Sequence, residues 1–265
     1  MPVLKLLKTL CASAAVVGLL ILPQTIAAET VSLAVASNFA GPMAHIIEAF
    51  EADSGHEVQL SLGSSGKLYA QISHGAPFEV LLSADQRVPK QLEQGGLGVP
   101  GTRFTYAVGQ LVLWSPTDSV VDDAGDILKS RGFEKLAIAN PRLAPYGAAA
   151  VEVLQALGRF DALKPRLIMG ENIAQTYHFV STANAELGFV AAAQVMRNGQ
   201  LSGGSAWLVP QHLYTPIRQD ALLLRNGADN PAARALLDFI RTPAALKIIR
   251  SYGYVQQTAL HKATH

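Results

Sequence analysis

Four short stretches combine hydroxyls, carboxamides and glycines where an apolar, strand-like run gives way to a helical pattern. They are Ser37-Asn38 followed by Phe39 and Pro42; Gly63-Ser64-Ser65-Gly66; Asn140-Pro141 leading to Pro145-Tyr146-Gly147; and Gly170-Glu171-Asn172 before Ile173. The start of a helix presents backbone N–H groups that have no partner within the helix. It also carries a partial positive charge, so it holds anions without a cationic side chain. In open α/β sheets ligands sit beyond the carboxyl ends of the strands, where such junctions fall. Taken singly, each junction reads first as an ordinary N-cap. Only a fold that brings several of them together makes them a site.

Other chemistries find less support. Ser64-Ser65-Gly66-Lys67 matches S-x-x-K, but the S-D-N and K-T-G partners of penicillin-recognising enzymes are absent from the chain after residue 28. A phosphate-binding P-loop needs Gly at position 61, which is Ser, and Ser or Thr after Lys67, where Leu68 stands. A hydrolase acting through Ser64 or Ser65 needs a general base, and no His lies in the four junctions. His45, His56, His74, His178 and His212 stand apart, and His261 and His265 fall in a polar tail, so no metal-ligand spacing emerges. Asp85 follows a strand and is suited to capping the next segment; Trp114 and Trp207 read as packing.

The elements that must position the junctions alternate. Strands are expected at Val31–Ala36, Glu57–Gly63, Val80–Ala84, Leu111–Trp114, Leu136–Ala139, Leu187–Ala191 and Ala221–Leu224. Helices are expected at Phe39–Phe50, with Phe39, Met43, Ile46, Ile47 and Phe50 on one face, and at Lys67–Ser73, Ala148–Leu157, Ile173–Ala183, Pro231–Arg241 and Pro243–Tyr252. Strands alternating with helices mean βαβ units and mostly parallel sheet. Tyr106–Pro116 is long for one strand and suits a crossing between two lobes, with Ile217–Leu224 as the return. The expected division is 29–107 with 217–265 in one lobe and 108–216 in the other.

Charge and composition narrow the function further. The 265 residues are 49% hydrophobic and only 15% charged, with 21 basic against 20 acidic side chains. A basic surplus for nucleic acid is absent, and so is the charged, aliphatic-poor composition of a disordered chain. Lys5 and Lys8, the uncharged run Leu10–Pro23 and the small residues Ala27 and Ala28 read as a secretory signal peptide over 1–28. The apolar run is short of the roughly 20 residues a membrane span needs. Cys11, the one cysteine, lies inside that signal and follows Leu10, which does not suit lipidation. The remainder has no cysteine, hence neither disulfide nor thiolate metal site; secretion without disulfides suggests a bacterial periplasm, where a sizeable core suffices for stability.

Taken in order, Ala36-Ser37-Asn38-Phe39, Gly63-Ser64-Ser65-Gly66-Lys67-Leu68, Gly75-Ala76-Pro77-Phe78-Glu79-Val80 with Ser83-Ala84-Asp85, Ala139-Asn140-Pro141, Pro145-Tyr146-Gly147, Gly170-Glu171-Asn172-Ile173, Asn184–Val190 and Tyr252-Gly253-Tyr254 resemble the periplasmic molybdate-binding proteins of ABC transporters. The resemblance spans nearly all of the chain after the signal. It implies a type II periplasmic binding protein: two α/β lobes, mixed and mostly parallel sheets flanked by helices, and two crossing strands acting as a hinge. It implies that Ser37 and Ser65 give hydroxyl and backbone donors, that Asn38 adds its N–H or amide, and that Tyr146 and Ile173 give backbone N–H groups while their side chains wall the pocket. Some members add a tyrosine hydroxyl at the position of Ala191, which this chain lacks.

The implied ligand is molybdate or tungstate, with molybdenum present only as the oxyanion. Implied with it are no cofactor, no catalytic residue, no nucleic acid, a monomeric state, and a membrane permease as partner. Deprotonated dianions offer only acceptors, so neutral donors suit them. Hydrogenphosphate would want a carboxylate acceptor, and none of the five residues is acidic. Sulfate, thiosulfate or another small anion is the alternative ligand. Lys67 is expected at the rim.

Overall fold

A computed structural model describes residues 28–130 and 132–255. The signal segment with Cys11, and His261 and His265, lie outside the described residues. The elements run β1 Thr30–Ala36, α1 Ala40–Ser54, β2 Glu57–Gly63, α2 Ser65–Ser73, β3 Val80–Leu82, α3 Arg87–Gln94, β4 Phe104–Gly109, β5 Leu111–Ser115 and β6 Leu136–Ala139. They continue with α4 Pro145–Ala156, α5 Phe160–Leu163, β7 Leu167–Gly170, α6 Ile173–Ser181, β8 Leu187–Ala191, α7 Ala192–Val195, β9 Met196–Arg197 and β10 Gln200–Leu201. The last are β11 Ser205–Leu208, β12 Ile217–Leu223, α8 Pro231–Ile240 and α9 Pro243–Ser251.

Two five-stranded sheets result, ordered β2-β1-β3-β12-β4 and β11-β5-β8-β6-β7. Each anchors one lobe of an α/β fold. Within each sheet the βαβ units pair in parallel: β1 with β2 and β3, and β6 with β7 and β8. Antiparallel pairing enters where the chain passes between lobes, at β12 with β3 and β4, and at β5 with β8 and β11. The sheets are therefore mixed. The expected long strand over Tyr106–Pro116 is interrupted at Gln110, because β4 and β5 belong to different sheets. The chain returns to the first sheet at Ile217, and Val255 closes against Val108 by paired backbone bonds of 3.0 and 3.1 Å.

The helix starts and stops follow local chemistry. Gly55 ends α1 at φ +72°, a conformation open to glycine and costly for others. Pro145, Pro231 and Pro243 occupy first-turn positions, where the missing N–H costs nothing. Expected helix Ala148–Leu157 in fact begins at Pro145, since Ala144 is already extended. Phe39, Met43, Ile46 and Phe50 are buried against β1 and β3 residues Val31, Leu33, Val35, Val80 and Leu82. The second core gathers β5, β6, β8 and α4 around Leu111, Ile138, Val153, Leu154 and Phe189. The hairpin of β9 and β10 turns through Asn198 and Gly199, both at positive φ. Ala193, just before it, packs into the core of the first lobe. Trp114 stacks on Tyr177 at 5.2 Å, and Trp207 is buried over Gly125, both as packing residues. No helix among the described residues is long and apolar enough to cross a membrane.

Candidate functional site

The register of the sheets brings the four junctions together. Ala36 pairs with Gly63 at the carboxyl end of β1 and β2, so Ser37 and Ser65 leave neighbouring strands at the same edge. In the second sheet Ala139 pairs with Gly170, which sets the starts of α4 and α6 side by side. The 3₁₀ turn Ser37–Phe39 packs against α6. Gly66 N–H donates to Leu143 O across the lobes at 2.9 Å, just before α4. Ser37, Asn38, Ser65, Tyr146 and Ile173 thus converge between the lobes, and all five are buried.

Capping accounts for only some of these polar residues. Ser64 Oγ accepts from Lys67 N–H at 3.4 Å, Asn172 Oδ1 accepts from Ala174 and Gln175 N–H at 3.0 Å each, and Asn140 Oδ1 accepts from Arg142 N–H at 3.0 Å. Those bonds use donors deeper in each turn. They leave the first N–H groups, of Ser65, Tyr146 and Ile173, together with those of Ser37 and Asn38, without a protein acceptor among the described residues. Ser65 Oγ accepts from Ala84 N–H at 3.0 Å, which leaves its own proton to give. The Ser37 hydroxyl meets no hydrogen-bond partner among the described residues. Capping therefore leaves donors unused at each junction.

The side chains of Asn38 and Tyr146 are both tied into one buried hydrogen-bond network. Asn38 Nδ2 donates to Gln219 Oε1 and to the Tyr254 hydroxyl, at 2.9 Å each, and the Tyr254 hydroxyl donates back to Asn38 O at 2.9 Å. Both amide protons of Asn38 are consumed, which leaves its main-chain N–H as the donor still without a protein acceptor among the described residues. Tyr146 is only 1% exposed, and its hydroxyl accepts from Gln219 Nε2 at 3.1 Å. Tyr106 donates to the same Gln219 Oε1 at 2.9 Å. Gln219, on β12, therefore ties the first junction to the third from behind. Gly109 must lack a side chain here, because a Cβ would lie 2.1 Å from the Tyr146 hydroxyl. At the fourth junction Gln194 Nε2 donates to Ile173 O, and its Oε1 accepts from Ala191 N–H, both at 3.0 Å. Gln219 and Gln194 escaped the sequence reading, and Tyr254 entered it only within Tyr252-Gly253-Tyr254, with no role assigned. The one clue was the polar pair Gln219-Asp220 inside an otherwise buried strand.

The site is electrically quiet. Burial holds the hydroxyls of Tyr106 and Tyr146 well above the usual tyrosine range, and that of Tyr254 is raised by the same cause. They stay neutral throughout the working range of pH. No group of three or more His, Cys, Asp or Glu able to hold a metal ion exists among the described residues. Asp85 accepts from Val88 N–H at 3.0 Å, as a cap for α3. A separate groove of about 460 Å³ runs between the lobes past Arg87, Arg142 and Arg218, and none of the five junction residues lines it.

A two-lobed α/β frame with anion donors at four strand ends has counterparts among known proteins. Residues 31–255 match the family described as bacterial extracellular solute-binding protein. This chain belongs to that family. Similar solute-binding proteins include "Molybdate-binding protein ModA" of Azotobacter vinelandii, 55% identical over 227 residues, covering 86% of this chain and 90% of that protein. The protein of the same name from Rhodobacter capsulatus is 53% identical over 231 residues, covering 87% and 90%. The solved structure of an Azotobacter vinelandii periplasmic molybdate-binding protein superposes with a TM-score of 0.83 at 38% identity, covering 85% of this chain and 99% of that one.

Proposed function

We propose that this solute-binding protein captures molybdate, and tungstate with it, in the periplasm and delivers the anion to an ABC transporter permease. The observation that carries the reading is the set of unpartnered N–H groups of Ser37, Asn38, Ser65, Tyr146 and Ile173, joined by the Ser37 and Ser65 hydroxyls. Two relatives above half identity bear the name of molybdate-binding proteins, which supports the same ligand. The metal enters only as the oxyanion, with no separate cofactor.

The mechanism follows from the donors. Every bond to a dianion is charge-assisted, and dipoles of four helix starts spread its charge over both lobes. No carboxylate stands among the five residues to accept a proton, so hydrogenphosphate leaves its own donor unmatched. Two lobes contribute comparable shares, so binding favours their closure about the crossings at Gln110 and before Ile217. Closure excludes water and strengthens each contact. The lobes divide at Gln110 and just before Ile217, so Val108 and Gly109, expected in the second lobe, stay with β4 in the first. The protein works as a monomer after cleavage of its signal near Ala28. Among the described residues no imidazole, carboxylate or amine accepts a hydrogen bond from the Ser64 or Ser65 hydroxyls, whose oxygens accept from Lys67 and Ala84 N–H, which favours binding over turnover.

Calorimetric titration of the mature chain tests the reading. Molybdate and tungstate are expected to bind with sub-micromolar affinity, sulfate weakly and hydrogenphosphate undetectably. Absence of heat and of a melting shift with molybdate, or tighter binding of sulfate or thiosulfate, would reject it.

A further inference from the structure

One ion pair among the described residues joins the two lobes: Lys67 Nζ lies 2.6 Å from Glu171 Oε1. Both residues flank the site. Lys67 follows Ser65 by two positions in the first turn of α2, and Glu171 precedes Ile173 by two. Glu171 is held in place through its own backbone, whose N–H donates to Gln175 Oε1 at 2.6 Å. Beside the pair, Gly66 meets Leu143 so closely that a Cβ would sit 3.0 Å from Leu143 Cα. The pair therefore stands where the lobes are locked at backbone distance.

A carboxylate next to a donor meant for a dianion is a liability. Unpaired, Glu171 would repel the ligand through a partly desolvated path. Its cation comes from the opposite lobe, so the cancellation exists only while the lobes are together. Lys67 itself is turned to Glu171.

We propose that Lys67 is the counter-charge of Glu171: a positioning residue that permits dianion binding by neutralising a carboxylate across the cleft, without touching the anion. The proposal rests on the oxyanion reading of the site. It makes the worth of Lys67 conditional on Glu171. An attracting lysine would matter equally with or without its neighbour.

The test is molybdate affinity and dissociation rate for the wild type, Lys67→Gln, Glu171→Gln and the double variant, by calorimetry and stopped flow. Wild-type binding in the same series decides the oxyanion reading; if it is absent, both ideas fall. Given that binding, Lys67→Gln is expected to weaken affinity about fivefold to tenfold, and Glu171→Gln to leave it within about twofold. The double variant is expected to return to within about threefold of the wild type. The deficit of Lys67→Gln shrinks as salt rises from about 0.05 to about 0.5 M. Both side chains are half exposed, at 50% and 46%, so melting without anion stays within about 2 °C of the wild type. Wild-type affinity in Lys67→Gln, or a deficit that Glu171→Gln does not relieve, overturns the proposal.

Discussion

At the scale of single residues, the proposed function divides the donors into those that would meet the anion and those that hold them still. Ser65 does both, because its oxygen takes the Ala84 N–H and its proton remains free. Ser65→Ala removes a charge-assisted bond worth about 1.5–3 kcal/mol, so molybdate binding is expected to fall about 10- to 100-fold, more than in Lys67→Gln. Calorimetry on the two variants checks the ranking. Gln219 is wholly buried and serves Asn38, Tyr106 and Tyr146 together. Gln219→Leu strands one Asn38 amide proton and removes the donor to the Tyr146 hydroxyl, while Tyr106 keeps Ser83 O, and is expected to cost about 1–3 kcal/mol of folding stability, measured by urea unfolding. The positions of Ser37, Ser65 and Ile173 were readable because hydroxyls and glycines after apolar runs mark strand-to-helix turns. The roles of the Asn38 and Tyr146 side chains were not. They depend on Gln219 and Tyr254, which are 181 and 216 residues from Asn38, a separation that no local pattern spans.

Among the elements, precision comes from close approach. Gly147, in the first turn of α4, lies so near β6 that a Cβ would stand 2.1 Å from Ala139 O. Gly147→Ala must push the start of α4 away from its strand and carry the Tyr146 N–H with it. Affinity is expected to drop more than tenfold, with about 1–3 kcal/mol of stability lost; calorimetry and thermal melting report the two effects. Strand β12 carries a second constraint. Asp220 is fully buried and takes bonds from Arg103 at 2.6 Å, Gln86 at 3.1 Å and Thr105. Removing the cation in Arg103→Met leaves that carboxylate unpaired, at about 3–5 kcal/mol, read as a lower urea midpoint. Most strands and helices followed from periodicity. Strand β7, helix α3 and the break at Gln110 did not, because they are set by which sheet a segment joins rather than by its own alternation.

For the whole molecule, near-neutral charge and anion binding are compatible. An early reading of 21 basic against 20 acidic residues excludes partners held by a basic face. It says nothing of a small dianion held by amides and helix ends. The same neutrality shapes the response to pH. Burial raises Tyr106, Tyr146 and Tyr254 above the value they have unfolded. Their contribution to stability is complete below the unfolded value of about 10. It is lost as pH rises further, since the unfolded chain then sheds protons the fold retains. Melting temperature should be insensitive to these groups between pH 6 and 9 and fall above about 10, and molybdate affinity should stay flat over the lower range. Lobe closure adds a second whole-molecule expectation, a smaller radius of gyration in solution scattering when molybdate is added to a ligand-free sample.

The proposed function requires an oxyanion held by neutral donors from both lobes and not by the protein's cations. A crystal structure of the mature chain with molybdate tests it most directly. The account predicts oxygens within about 2.7–3.1 Å of the main-chain N–H groups of Ser37, Asn38, Ser65, Tyr146 and Ile173, with Lys67 still on Glu171. Molybdate seated instead in the groove against Arg87, Arg142 and Arg218, or bonded to Lys67, would contradict it.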